Sequence, residues 1–306
     1  MQIVNTLVTV FATLTLFLFA IHKFSKQVEH VAGDKFKSIL QSLTSTPARG
    51  VILGALAAAL IQSSTAVIVT TQSLVDAGLM TFVASLGVVF GANIGTTITS
   101  QLIAFNLTFV AGYIVLIGFA VDHIKSRFQR FGKVIFYFGL IFFCLSLMTL
   151  YLEPLKSNSA IIGFLSGLSN VYLAILVGAI FTTLFQSSAL TSGLAVVLAV
   201  QGFLSFDQAF GIVLGANVGT TSTALIAMIV QGTAAKRTAV AHFLFNILGV
   251  IIILPFLHAF GQAVQFLGGS IGQQVANAHL IFNILSTLVF LVFLKPFAEL
   301  VMKIVK

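Results

Sequence analysis

Four apolar runs, at 4–21, 134–152, 240–257 and 280–294, contain no Asp, Glu, Lys or Arg. Each is long enough, or nearly so, to cross a hydrocarbon core of about 30 Å. Inside lipid every backbone polar group must be satisfied internally, so such segments become helices or the strands of a closed barrel. A barrel needs apolar and polar residues in alternation, and these runs show none. The chain is 58% hydrophobic and only 7% charged, where soluble domains carry about 25% charged residues. The fold class is therefore an all-α polytopic membrane protein. The N-terminal run has no basic segment before it and is long for a signal peptide, so it reads as a retained first span.

A second feature divides the chain in two. Residues 62–65 read Gln-Ser-Ser-Thr and 186–189 read Gln-Ser-Ser-Ala, while 91–97 read Gly-Ala-Asn-Ile-Gly-Thr-Thr and 215–221 read Gly-Ala-Asn-Val-Gly-Thr-Thr. Both pairs are 124 residues apart, and Gly54/Gly178, Leu60/Leu184, Gly78/Gly202 and Thr99/Thr223 keep the same interval. The expected organisation is two inverted-topology repeats, 1–133 and 134–257, each with a re-entrant hairpin and a broken helix, plus one extra C-terminal span at 275–294. In the first repeat a span at 3–22 precedes an amphipathic interfacial helix over 23–49, with apolar residues at near-helical spacing. The hairpin at 50–75 has two arms too short to cross, joined at 62–65. A broken span at 82–105 follows, its paired glycines and asparagine at 91–97 favouring an unwound segment that lines a cavity. A span at 108–121 closes the unit. The second repeat has a span at 134–152, a weakly amphipathic stretch at 157–170, a hairpin at 172–200, a broken span at 206–230 and a span at 238–257.

Parity and charge support the inversion. Three crossings plus a hairpin that returns to its own side reverse the direction of the next unit. With the N-terminus outside and the C-terminus cytoplasmic, the inner loops hold Lys23, Lys26, Lys35, Lys37, Arg49, Lys125, Arg127, Arg130, Lys133, Lys236, Arg237, Lys295, Lys303 and Lys306, leaving only Lys156 outside. Short basic loops stay cytoplasmic. The net charge of +8 thus reports orientation in an inner (plasma) membrane, not nucleic-acid binding. The single cysteine, Cys144, forms no internal disulfide and reads as a packing residue.

Inverted repeats with interrupted helices in matching positions point to a secondary transporter whose site lies at the repeat interface near the membrane midplane. Hydroxyls and a Gln amide can donate and accept hydrogen bonds, and half-helix N-termini favour an anion. Neither motif contains Lys or Arg, so a multivalent anion there needs co-bound cations to offset its charge. A third motif, Ala-His-x-x-Phe-Asn, occurs at 241–246 and 278–283. It places His242 with Asn246, and His279 with Asn283, on one helix face, either bracing helix contacts or lining a proton or substrate path. Asp76 reads as a helix cap, or alternatively as a cation ligand. No Ser-His-Asp set, carboxylate pair or metal cluster is visible, so the chain does not read as an enzyme.

The paired Gln-Ser-Ser and Gly-Ala-Asn-x-Gly-Thr-Thr motifs, with Thr46-Pro47 and Gly54 before the first hairpin, resemble those of the bacterial type II sodium/phosphate cotransporters, over residues 10–295. The Ala-His-x-x-Phe-Asn motif shares in this likeness. Many bacterial relatives also carry a C-terminal PhoU-like helical domain, which is not represented up to Lys306. The resemblance implies sodium-coupled transport of inorganic phosphate, with Na⁺ as coupling ion and no other cofactor. It places phosphate at Gln62, Ser63, Ser64, Thr65, Gln186, Ser187 and Ser188. Candidates for Na⁺ ligation, or for bracing the hairpins, are Asn93, Thr96, Thr97, Asn217, Thr220 and Thr221. The missing hydroxyl at Ala189 makes the two tips unequal. A homodimer suits an elevator-like motion. The competing expectations are another oxyanion, proton coupling, or a membrane sensor that binds phosphate without moving it.

Overall fold

The computed structural model describes residues 2–41, 46–105, 107–125, 128–153, 163 and 170–306. Every regular element among them is a helix. Six stretches are long and apolar enough to cross a membrane: Asn5–Val31, Phe82–Ala104, Gln129–Leu152, Phe206–Val230, Thr233–Phe266 and Ile271–Val292. The protein is a multi-pass helical membrane protein. Large apolar side chains such as Phe109, Tyr113, Leu116 and Ile117 face outward, where lipid supplies the contact that water would refuse. Of the stretch at 157–170 only residues 163 and 170 are described, and Lys156 lies outside the described residues.

Helix α1, Gln2–Gln41, runs for 40 residues. At 1.5 Å per residue this is about 60 Å, twice the hydrocarbon thickness. The separate interfacial helix expected over 23–49 is instead, as far as Gln41, the continuation of the first span. No proline and only one glycine, Gly33, interrupt this stretch, so nothing in the backbone ends the hydrogen-bond ladder where the charges begin.

Two helix pairs follow the 124-residue interval residue for residue. They are α2, Pro47–Ile61, with α3, Ser64–Asp76, and α7, Val171–Phe185, with α8, Ser188–Val200. The turns leaving α3 and α8 repeat as well. Gly78 and Gly202 take φ of +71° and +77°, and Leu79 N and Phe203 N bond back to Leu74 O and Leu198 O, each at 2.9 Å. This is the left-handed glycine stop of a helix C-terminus.

The next helix corrects a sequence expectation. In the first copy α4, Phe82–Ala104, is continuous through 91–97; there is no unwound break. Its glycines serve close packing. Gly87, Gly91 and Gly95 lie four residues apart on one face, and a Cβ on each would overlap the carbonyl oxygens of Pro47, Val51 and Ala55 of α2. In the second copy, Gly215 and Gly219 meet the carbonyls of Ile175 and Ala179 of α7 in the same way. Small residues allow two backbones to approach where lipid offers no hydrophobic drive. Here the helix does pause: α9, Phe206–Gly219, is followed by Thr220 and Thr221 and then by α10, Ser222–Ala227. Both threonines keep right-handed helical angles, so the chain loosens without unwinding.

Between the two copies lie α5, Ala111–His123, which together with the 3-10 turn Leu107–Val110 before it covers the expected span at 108–121, and α6, Gln129–Leu152. The rest comprises α11, Thr233–Ile253; α12, Leu257–Phe266; α13, Ile271–Val292; and α14, Leu294–Ile304. The copies interlock through exchange. Helix α3 of the first packs on α10 and α11, while α8 of the second packs on α4. Helix α13 contacts α4, α8 and α9. An aromatic cluster of Phe90, Phe245, Phe290 and Phe297, with Phe90 and Phe245 stacked at 4.7 Å, holds α4 against α11 and α13.

Candidate functional site

Gln62 and Gln186 are the only non-glycine residues with positive φ among those described, at +58° and +54°. Each ends one helix and hands over to a serine that begins the next. Ser63 Oγ accepts from Ala66 N at 3.2 Å and Ser187 Oγ accepts from Leu190 N at 3.3 Å, as N-cap side chains do. The first N–H groups of a helix have no intrahelical acceptor. The tips before α3 and α8 therefore present backbone donors and the positive end of a helix dipole. Ser64 and Ser188 are buried, Thr65 and Ala189 half-buried.

Each glutamine is fixed at both ends of its amide. Gln62 Nε2 donates to Ala59 O at 2.6 Å, and Gln186 Nε2 to Thr183 O at 2.6 Å. Gln62 Oε1 accepts from Thr99 Oγ1 at 2.6 Å, and Gln186 Oε1 accepts from Thr223 Oγ1. Gln186 Nε2 also reaches Ser222 Oγ at 3.3 Å, and Ser25 Oγ donates to the Gln62 carbonyl at 3.4 Å. Thr99 and Thr223 were not among the expected site residues. The signal for them existed, since both keep the 124-residue interval and each stands 37 residues after its glutamine. A small cleft lined by Ser25, Gln62, Thr99, Phe24, Phe138 and Phe142 reaches the first tip.

The residues expected to bind cations are brought to the same helices but with differing engagements. Asn93 Nδ2 donates to Val89 O at 2.8 Å, Thr96 Oγ1 to Ala92 O at 3.0 Å, Thr97 Oγ1 to Ile94 O at 2.7 Å and Thr221 Oγ1 to Val218 O at 2.7 Å. A hydroxyl that donates in this way keeps oxygen lone pairs for another partner. Thr220 is buried. Asn217 differs from its counterpart Asn93, because its Oδ1 lies 3.0 Å from His279 Nε2.

The two Ala-His-x-x-Phe-Asn motifs are alike in their backbone contacts and unlike at the rings. Asn246 Nδ2 donates to His242 O and Asn283 Nδ2 to His279 O, each at 2.9 Å. His279 joins Asn217 to Ser100, whereas both ring nitrogens of buried His242 lack a partner. Asp76 accepts from Gly232 N at 2.7 Å, so it ties the end of α3 to the turn before α11. A further cross-link, Gln72 Nε2 to Ala224 O at 3.2 Å, joins α3 to the other copy just beyond Thr223.

A multi-pass protein with two glutamine–serine helix junctions, each clamped to a hydroxyl just beyond a Gly-Ala-Asn-x-Gly-Thr-Thr motif, is the setting in which the family comparison falls. Residues 16–150 and 159–289 match the family described as Na+/Pi-cotransporter. The chain belongs to that family, a phosphate transporter family. It is 31% identical over 258 residues to the uncharacterized protein YqeW of Bacillus subtilis, covering 83% of each chain. It is 28% identical over 262 residues to the putative inorganic phosphate export protein YjbB of Escherichia coli K12, covering 85% of this chain and 48% of that one. It thus spans about half the length of YjbB. The human sodium-dependent phosphate transport protein 2C is 38% identical over 95 residues, 30% of this chain and 15% of the relative. No solved structure matches.

Proposed function

We propose that the protein is a sodium-coupled carrier of inorganic phosphate that works by alternating access. The observation that carries this function is the doubled tip, in which a left-handed glutamine, a capping serine and a helix N-terminus recur at 62–64 and 186–188. Backbone donors and hydroxyls at both tips suit a tetrahedral oxyanion. Gln62, Ser63, Ser64 and Thr65 supply one half-site, and Gln186, Ser187 and Ser188 the other. With no Lys or Arg in either motif, the phosphate charge must be offset by cations bound with it. Asn93, Thr96, Thr97, Thr220 and Thr221 offer oxygens for Na⁺. The copies run in opposite senses across an inner membrane, with both tips entering as re-entrant hairpins near the midplane. The loop charges favour an outside N-terminus and a cytoplasmic C-terminus. A homodimer anchors the moving bundle.

Sodium coupling is favoured by the name of the human relative and export by that of YjbB. A coupled carrier runs with its gradients, so direction is a matter of conditions. Purified protein in liposomes is expected to take up labelled phosphate when a sodium gradient is imposed. Flux that follows a proton gradient alone would reject sodium coupling, and sulfate outcompeting phosphate would reject the substrate. Phosphate binding without flux would leave a sensor.

Replacing Ser63 or Ser187 by alanine separates capping from binding. Loss of an N-cap costs about 1 kcal/mol, which lowers thermal stability by a few degrees at most. Uptake is expected to fall to background in both variants while the protein still accumulates and elutes as a single species. Wild-type uptake in both variants would remove the serines from the site.

A further inference from the structure

His279 on α13 stands between the two copies. Its Nε2 lies 3.0 Å from Asn217 Oδ1 on α9, and its Nδ1 lies 3.1 Å from Ser100 Oγ on α4. A carbonyl oxygen only accepts, so Nε2 carries the proton; in a neutral ring Nδ1 then accepts, and the Ser100 hydroxyl donates to it. Both ring nitrogens are thereby satisfied by side chains from different repeats.

The consequence falls on Asn217. Its oxygen is engaged by the histidine, and its Nδ2, with two N–H donors, is buried without a partner. Asn93, at the equivalent position, has the reverse arrangement, with Nδ2 donating to Val89 O. A buried amide donor without an acceptor is costly, and only a group that offers an acceptor can relieve it. Sodium offers none, whereas a phosphate presents oxygens on every side. Asn217 shares a helix face with Thr220 and Thr221, one to two turns before Ser222 and Thr223, which hold Gln186.

We propose that Asn217 is a specificity-determining donor to phosphate, not a Na⁺ ligand, and that His279 is the positioning residue that holds its amide in that orientation. The proposal rests on the phosphate-carrier function proposed above. It also makes the two Gly-Ala-Asn motifs unequal in role, with the first free to serve cations and the second turned toward the anion.

Asn217→Asp keeps an oxygen for His279 but replaces the donor with an acceptor that repels phosphate. In proteoliposomes the phosphate concentration for half-maximal uptake is expected to rise at least about tenfold. The sodium concentration for half-maximal uptake, taken at saturating phosphate, stays within about twofold of wild type. His279→Ala shows the same selective loss. His279→Gln, whose amide nitrogen can take the place of Nε2, restores phosphate affinity. Phosphate- and sodium-dependent shifts in melting temperature of the detergent-purified full chain give the same comparison without flux, and Asn217→Ala replaces Asn217→Asp if the latter does not accumulate. A changed sodium dependence with unchanged phosphate dependence in the Asn217 variants overturns the assignment. Equal loss in His279→Gln and His279→Ala overturns the positioning role. If wild type shows neither phosphate uptake nor phosphate-dependent stabilisation, the carrier function itself falls, and the proposal with it.

Discussion

Replacement of Gly91 or Gly215 by valine is expected to prevent accumulation of folded protein. A Cβ at either position would lie inside the van der Waals radius of a backbone carbonyl oxygen, that of Val51 or of Ile175. A flexible side chain could move aside, but a helix backbone cannot unless the whole of α2 or α7 shifts. Overpacking a side-chain core costs about 1–3 kcal/mol, and here the obstacle is two main chains in contact along a row of glycines. Stability of a domain is only about 5–15 kcal/mol in total, so displacing one helix of the pair removes a large part of it. Alanine at the same positions is expected to produce the same defect in weaker form. Gly112 on α5 is the control, because nothing lies within 4 Å of its would-be Cβ. Gly112→Ala should accumulate like wild type and melt no lower, since alanine is the better helix former by about 1 kcal/mol. Fluorescence-detected size-exclusion chromatography of the tagged variants reads out the series. Normal elution of Gly91→Val would mean that α2 and α4 do not touch as described.

The same glycines show where sequence reasoning stops. Gly91 and Gly95 within a polar motif are compatible with two opposite outcomes, an unwound helix or a tightly packed one. Their spacing of four places them on one face in either case. What decides is the partner, and α2 lies some forty residues earlier in the chain, beyond any local pattern. The positions of most helices were legible because an apolar run in lipid has one way to satisfy its backbone. The doubling was legible because 124 residues separate both motif pairs without a gap. The charged half of α1 was misread, since a change from apolar to amphipathic composition does not itself break a helix. Within the candidate site, the tip residues stood out as polar groups in an apolar chain. Thr99 and Thr223 had the repeat interval but lay 37 residues from the glutamines they hold. The link from His279 to Asn217 and Ser100 joins three helices and leaves no mark in the spacing of any motif. The doubled Ala-His-x-x-Phe-Asn motif even points the wrong way, since it makes His242 and His279 look equivalent when only the ring of His279 has hydrogen-bond partners.

Gln62→Gly and Gln186→Gly are expected to abolish transport while leaving stability close to that of wild type. The left-handed region costs an L-residue roughly 1–2 kcal/mol, and glutamine, unlike asparagine or aspartate, has no short side chain to relieve it locally. Glycine enters this region freely and is the common residue where one helix stops in a left-handed turn. A chain selected only for a stable junction would place glycine at 62 and 186, as it does at 78 and 202. Glutamine persists at both tips, strained in the backbone and fixed through both ends of its amide, so the side chain must contribute something that outweighs the strain. Strained backbone of this kind runs from observation to a hypothesis of function. Against the gain in backbone freedom, glycine loses the bonds to Ala59 and Thr99, or to Thr183 and Thr223, each worth about 1 kcal/mol net, so the melting temperature should stay within a few degrees of wild type. Sodium-driven phosphate uptake should nonetheless fall to background, because the amide no longer aligns the tip with the following helix. Gln62→Ala, which keeps the strain and loses the amide, should be the least stable of the set and equally inactive. Retained uptake in Gln62→Gly would show that the left-handed turn alone builds the tip and that the glutamine amide takes no part in transport.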